Sequence, residues 1–137
     1  MTFLDTGILV SLLLEKHPEH KACATALDQF PDCFTNYHVL AETFSTLTGS
    51  YKVPTQVASE LTLGIRELME VKPLAIADYE TAIRDARRRG IMGGGIYDSL
   101  HATFARREGA ERIVTRNPSH FAHVAPEVEI LTPLTRG

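Results

Sequence analysis

The sequence predicts an α/β fold: a three-layer α/β/α sandwich with a central, mostly parallel sheet. Short apolar runs of strand length alternate with helix-period segments along the whole chain, the pattern of a parallel sheet covered on both faces. No repeat, low-complexity tract or long linker interrupts that alternation, so residues 1–137 read as one domain. A chain of 137 residues can bury a single core without disulfides or a structural metal.

The elements follow in order. Thr2 to Asp5 is the first strand, and the aliphatic run Gly7 to Leu14 a buried helix. Pro18 opens a second helix through Phe30, and Asp32 to Thr35 forms a strand. Tyr37 to Thr48 is helical and ends near Gly49. Pro54 to Glu70 reads as one long amphipathic helix, with Val57, Leu61, Ile65 and Leu68 on its packed side and Pro54 at the tolerated first position. Lys72 to Ile76 is a strand, and Asp78 caps a helix that ends at Gly90. Ile91 to Gly95 is expected to be a flexible loop leading into the helix Ile96 to Arg107. Ile113 to Thr115 and Val128 to Leu131 are the last strands. Ligand sites in such folds lie beyond the carboxyl ends of strands, where Asp5 and Thr115 stand, with Asn117 close behind.

Composition excludes several classes. The apolar share is 44% and the charged share 23%, ordinary for a globular protein. No apolar run approaches the roughly 18 residues of a membrane span, and no signal peptide is expected. Cys23 and Cys33 match no metal or redox spacing and read as inert thiols in a reducing cytoplasm. Net charge is −3, but its distribution is uneven. Residues 1–83 carry a balance of −6, whereas residues 84–116 carry eight arginines and a balance of +4. That arginine excess (Arg87, Arg88, Arg89 and Arg116 among them) can grip phosphates even on an acidic molecule, although for the 87–89 triplet alone a solvated helix face is the favoured reading.

Three acidic residues carry the chemical reading. Asp5 lies between apolar segments, where a carboxylate is costly unless paired; it serves equally well as a helix cap or as a ligand. Glu42 falls at the edge of the stripe of Val39, Leu40, Phe44 and Leu47, one turn from His38, and can reach a cleft while its helix stays packed, although taken alone an ordinary exposed glutamate is the simpler reading. Asp98 follows a triple glycine, with Ala102 and Ala105 extending its face so that another element can approach closely. A first-turn aspartate gains only about 0.3–1 kcal/mol from the helix dipole, and that gain leaves the alanine face unexplained. Were the three to converge, two charges about 4 Å apart would repel by roughly 4 kcal/mol at an effective dielectric near 20. An all-oxygen site that relieves this suits Mg2+ or Mn2+.

Four segments in order carry a family resemblance: Phe3-Leu4-Asp5-Thr6, Leu40-Ala41-Glu42, Gly94-Gly95-Ile96-Tyr97-Asp98-Ser99-Leu100-His101-Ala102, and Ile113-Val114-Thr115-Arg116-Asn117 followed by Phe121. Together they resemble the PIN-domain family, specifically the VapC-like toxins of bacterial and archaeal toxin–antitoxin systems. The resemblance implies a metal-dependent endoribonuclease that cleaves RNA phosphodiester bonds, with Asp5, Glu42 and Asp98 as its acidic metal-site residues and Thr6 and Thr115 as supporting hydroxyls. It also implies a cognate antitoxin and a homodimer. The family commonly carries a fourth acidic residue at the place of Asn117 or His120, and neither is acidic here. An Asn117 carbonyl can still ligate Mg2+, while Asn117-Pro118 also reads as a helix cap with a first-turn proline. The alternative is therefore a catalytically weak module of the same fold that binds RNA or protein.

Other motifs are set aside. Asp5-Thr6-Gly7 matches the aspartic-protease triplet, but that fold is predominantly β and this chain is mostly helical. Gly93-Gly94-Gly95 lacks the spacing of a phosphate loop and reads as a hinge. His17-Pro18-Glu19-His20 reads as a polar helix start, and His101 as a surface histidine.

Overall fold

A computed structural model of the chain describes residues 1–122 and 124–133. Five strands form one all-parallel sheet in the order β3-β2-β1-β4-β5, flanked by seven helices among the described residues. The strands are β1 (Thr2–Leu4), β2 (Cys33–Asn36), β3 (Glu70–Lys72), β4 (Arg112–Val114) and β5 (Glu129–Leu131). The helices are α1 (Thr6–Leu13), α2 (His20–Gln29), α3 (Tyr37–Gly49), α4 (Thr55–Gly64), α5 (Ile76–Arg89), α6 (Gly95–Arg107) and α7 (Pro118–Ala122). The α/β/α sandwich expected from the alternating pattern is thus the observed fold. A parallel sheet also rules out the aspartic-protease reading.

The sheet core is aromatic. Phe3, Phe34 and Phe104 are fully buried and pack with ring centroids 5.8–5.9 Å apart, around β1, β2 and α6. Ile113, Val114 and Phe121 close the same core from β4 and α7. Both cysteines are buried and free, and burial pushes the Cys33 thiol up to about 12. Such thiols stay protonated and unreactive.

The segment 54–72 departs from expectation. The helix starts at Thr55, ends at Gly64, passes through a 3-10 turn at Ile65–Glu67, and Glu70 already belongs to β3. The packed face is Ala58, Thr62 and Ile65, while Val57 and Leu68 are exposed. Small Ala58 sits against Val10 and Leu47, so close helix contact, and not side-chain size, chooses the buried face. The expected strand Lys72–Ile76 ends instead at Lys72, because Pro73 has no N–H to continue a ladder. Asp78 caps α5 from within: the N-cap position is Ala75, and Asp78, the third helical residue, accepts the Ala75 N–H on its Oδ2 at 2.8 Å.

Helix α5 does end at Gly90, whose φ of 67° is a left-handed stop that suits glycine. Of the triple glycine, Gly93 needs a positive φ (55°), and Gly95 is already the first residue of α6. No helix among the described residues is long and apolar enough to cross a membrane.

Candidate active site

The strand order reverses between β1 and β4, and Asp5 and Thr115 follow those two strands directly. Crevices form at such switch points because the flanking crossovers leave in opposite directions. Asp5 is buried and does two things with its two oxygens. Oδ1 caps α1 by accepting the Thr6 N–H at 2.7 Å, and Oδ2 accepts the Thr115 hydroxyl at 2.8 Å. The two sequence readings of Asp5, cap and site carboxylate, are therefore compatible in one side chain.

Glu42, one turn and a half into α3, is half-buried beside it. Its Oε2 accepts from the Thr6 hydroxyl at 3.3 Å. Its Oε1 accepts from two imidazoles, His101 Nε2 at 2.5 Å and His38 Nδ1 at 2.8 Å. His101 is fully buried, so the surface position expected for it is wrong. Burial is affordable because both ring nitrogens are satisfied: Nδ1 lies 3.1 Å from the amide Nδ2 of Asn36, and the ring stacks beside Phe3. Asp98 projects from the first turn of α6, one turn before His101, and its Oδ2 lies 2.8 Å from His120 Nδ1.

The electrostatics tie the acids together. Burial pushes the Asp5 carboxyl above the usual range; His101, Thr115 and Thr6 oppose this, and Asp98 adds to it. Burial likewise raises Asp98, with Glu42 pushing the same way against His120 and His101. Burial acts upward on Glu42 too, but the hydrogen bonds and charges of His101 and His38 outweigh it and leave Glu42 lowered. Three acids that perturb one another share one field.

Asp5 is held by the Thr115 hydroxyl and the Thr6 N–H, and the Thr6 hydroxyl links it to Glu42. Asp98 reaches Asp5 by charge alone, and among the described residues the three acids do not place one oxygen each within 4.8 Å of one another. Arg89 joins Asp98 and His120 in the wall of a cavity of about 520 Å³, together with Ile91, Met92 and Val124. Other expected residues lie elsewhere. Asn117 bonds through its backbone, donating to Thr115 Oγ1 at 3.0 Å and accepting from His120 N–H. It does open α7 as a residue before a first-turn proline. The position that meets an acid is His120, not Asn117. Arg116 pairs with Glu19 at 2.6 Å and sits beside His17, Arg88 pairs with Asp85, and Arg87 is exposed.

Asn36 went unremarked in the sequence, where His38 entered only as a neighbour of Glu42, His101 as a surface histidine and His120 as a place for an acid. His38 offered a signal, four residues before Glu42 on one helix face. His38, Glu42 and His101 place their donor atoms within 4.8 Å of one another, as a metal triad could. The Asn36 amide argues against that use, because its N–H points at Nδ1 and leaves the ring proton on Nε2, where a metal would need a lone pair.

An α/β protein with paired acids at the switch point of a five-stranded parallel sheet is the class these features define. A family model described as PIN domain matches residues 2–126. The chain belongs to the PIN-domain family. Among solved structures it is similar to VapC20 of Mycobacterium tuberculosis, described as a sarcin–ricin loop cleaving toxin (TM-score 0.77, 19% identity, covering 93% of this chain and 98% of that one). It is also similar to VapBC2 of Rickettsia felis bound to a DNA fragment from its promoter (0.72, 20%, 96% and 97%). FitAcB from Neisseria gonorrhoeae matches as well (0.70, 18%, 99% and 100%). At these identities the likeness is one of fold. No curated protein matches the chain.

Proposed function

We propose that this protein is a metal-dependent endoribonuclease, one domain over residues 1–137, acting in the cytoplasm as the toxin of a toxin–antitoxin pair. The observation that carries the reading is the acid field at the switch point: burial raises Asp5 and Asp98, with the charge of Asp98 adding to Asp5 and that of Glu42 adding to Asp98. Anions penalised in this way are what a divalent cation relieves, and the oxygen-rich set of Asp5, Glu42 and Asp98 fits Mg2+ or Mn2+. When bound, such a cation supplies Lewis-acid polarisation of the scissile phosphate and acidifies the attacking water.

The protein's residues divide the remaining work. Thr6 and Thr115 hold Asp5 at a fixed angle. Asp98, raised yet about a quarter exposed, is the carboxylate best placed to take a proton from water. Arg89, beside Asp98 in the cavity wall, faces the RNA backbone, and Arg87 and Arg88 extend its charge along the exposed end of α5. In-line attack leaves a 5′-phosphate and a 3′-hydroxyl. VapC20 is described as a sarcin–ricin loop cleaving toxin, which supports a structured RNA as substrate. The antitoxin would lay an amphipathic segment over the cleft and direct a basic side chain at the acids, and two copies of the chain would pair as a homodimer.

One observation favours a second reading, binding without cleavage. His120 stands against Asp98, and the resemblance places the family's fourth acid at Asn117 or at His120, neither of which is acidic here. Purified protein incubated with structured RNA decides between them. The nuclease reading expects cleavage with Mg2+ or Mn2+, none with EDTA, and none by Asp98→Asn. Cleavage that persists in EDTA or in that variant rejects it, and an inert wild type supports the binding module.

A further inference from the structure

We propose that Asn36 and His101 are positioning residues that fix which oxygen of Glu42 faces the cation. The inference rests on the nuclease reading for the cation and on hydrogen-bond polarity for the rest.

The chain of reasoning starts at a helix cap. Asn36 ends β2 and is the N-cap of α3, where its Oδ1 accepts the Val39 N–H at 2.8 Å. Only an amide oxygen can accept that hydrogen, so the orientation of the Asn36 amide is settled by the cap. Its NH2 group then points at His101 Nδ1, 3.1 Å away. A nitrogen that receives an N–H must supply a lone pair, so the proton of the neutral ring sits on Nε2. That proton is donated to Glu42 Oε1 at 2.5 Å.

His38 Nδ1 donates to the same oxygen at 2.8 Å. Both lone pairs of Oε1 are thereby used, and Oε2 keeps only the 3.3 Å contact with the Thr6 hydroxyl. Oε2 is the oxygen on the Asp5 side, because Thr6 is the residue that follows Asp5 in α1. Glu42 is thus presented as a one-oxygen ligand with its carboxylate plane held from behind. The ring that holds it cannot drift: His101 is fully buried, with Phe3 beside one face and His38 edge-on. Outer-shell partners of this kind orient ligands and commonly carry a 10–100-fold effect on metal affinity.

Two measurements test this. Long-range proton–nitrogen correlation spectra of the cation-free protein report which His101 nitrogen carries hydrogen. Wild type is expected to show a bare Nδ1 and a protonated Nε2. Asn36→Asp keeps the cap but turns the donor into an acceptor, so Nδ1 should become protonated. A protonated Nδ1 in wild type, or an unchanged spectrum in Asn36→Asp, overturns the tautomer assignment. The second measurement is Mn2+ affinity by electron paramagnetic resonance. His101→Leu should weaken binding about 10–100-fold, whereas His101→Gln, which retains an N–H for Glu42, should stay within a few-fold of wild type. Equal losses in both variants, at matched thermal stability, overturn the positioning role. A wild type that binds no Mn2+ sinks the cation reading and the positioning role with it, while the spectra still decide the tautomer.

Discussion

His120 Nδ1 lies 2.8 Å from Asp98 Oδ2, and both line one cavity beside Arg89. The contact places a neutral or cationic ring against a site acid. Replacing it by His120→Asp puts a fourth carboxylate there. Without a cation the added repulsion should cost stability, by about 1 kcal/mol at most, since His120 is half-exposed and solvent screens the pair. With Mn2+ the sign reverses, and affinity should rise several-fold as ligand charge increases. Asn117→Asp should do neither, because Asn117 meets the site only through its backbone. Mn2+ titration of both variants checks this. A larger effect at residue 117 than at 120 contradicts the geometry described above.

The acids also dictate how stability depends on pH. Burial raises Asp5 and Asp98 above their ordinary value of 3.8 in the folded protein. The folded state therefore holds protons that the unfolded chain has released. Stability from these two groups is full below the ordinary carboxylate value and falls as pH climbs through the raised folded values. Glu42, lowered in the folded state, works the other way and loses its contribution as pH falls. In EDTA at pH 7, Asp98→Asn should melt at a higher temperature than wild type, and the gap should close as pH drops toward 4. Millimolar Mn2+ should reverse the order, because a ligand that binds only the folded wild type adds its own stabilisation. Thermal melts in the two buffers are sufficient. Wild type melting above Asp98→Asn in EDTA at pH 7 removes the claim that the acid is penalised.

Much of this was readable in the chain. Alternating apolar runs predicted the parallel sheet, and Gly90 predicted its helix stop because a left-handed residue is a local requirement. Asp5 was readable as a cap, and its Oδ1 plays that part, while its Oδ2 is held by the Thr115 hydroxyl. The packed face of α4 was not readable, because burial there follows the approach of α1 and α3 to Ala58 and not the largest apolar side chains. His101 was misread for a similar reason. The groups that make its burial tolerable, Glu42 and Asn36, lie 59 and 65 residues away. No local pattern contains them; only the order β3-β2-β1-β4-β5 brings the ends of β1 and β2 to the same place as α6.

The placement of α6, and with it Asp98, rests on a buried carboxylate of α5 that faces α6. Asp78 is 1% exposed and receives a two-pronged bond from Arg107, Nε to Oδ1 at 2.7 Å and Nη2 to Oδ2 at 2.8 Å. Removing the guanidinium leaves the carboxylate buried with the Ala75 N–H as its remaining donor. Fully buried pairs lose about 3–5 kcal/mol when one partner is deleted. Arg107 is 40% exposed, and solvent can partly reach the gap, so Arg107→Ala should cost less, about 2–3 kcal/mol. Arg107→Lys should recover little of that, since an ammonium cannot reproduce the planar fork. Arg107→Ala combined with Asp78→Ala should be less unstable than the two losses added together, because the second change removes the stranded charge. Urea unfolding of wild type, Arg107→Ala, Arg107→Lys, Asp78→Ala and the double variant measures each quantity. If Arg107→Ala unfolds at the wild-type midpoint, the pair contributes nothing, and the α5–α6 contact is held by apolar groups such as Ala82 and Phe104 instead.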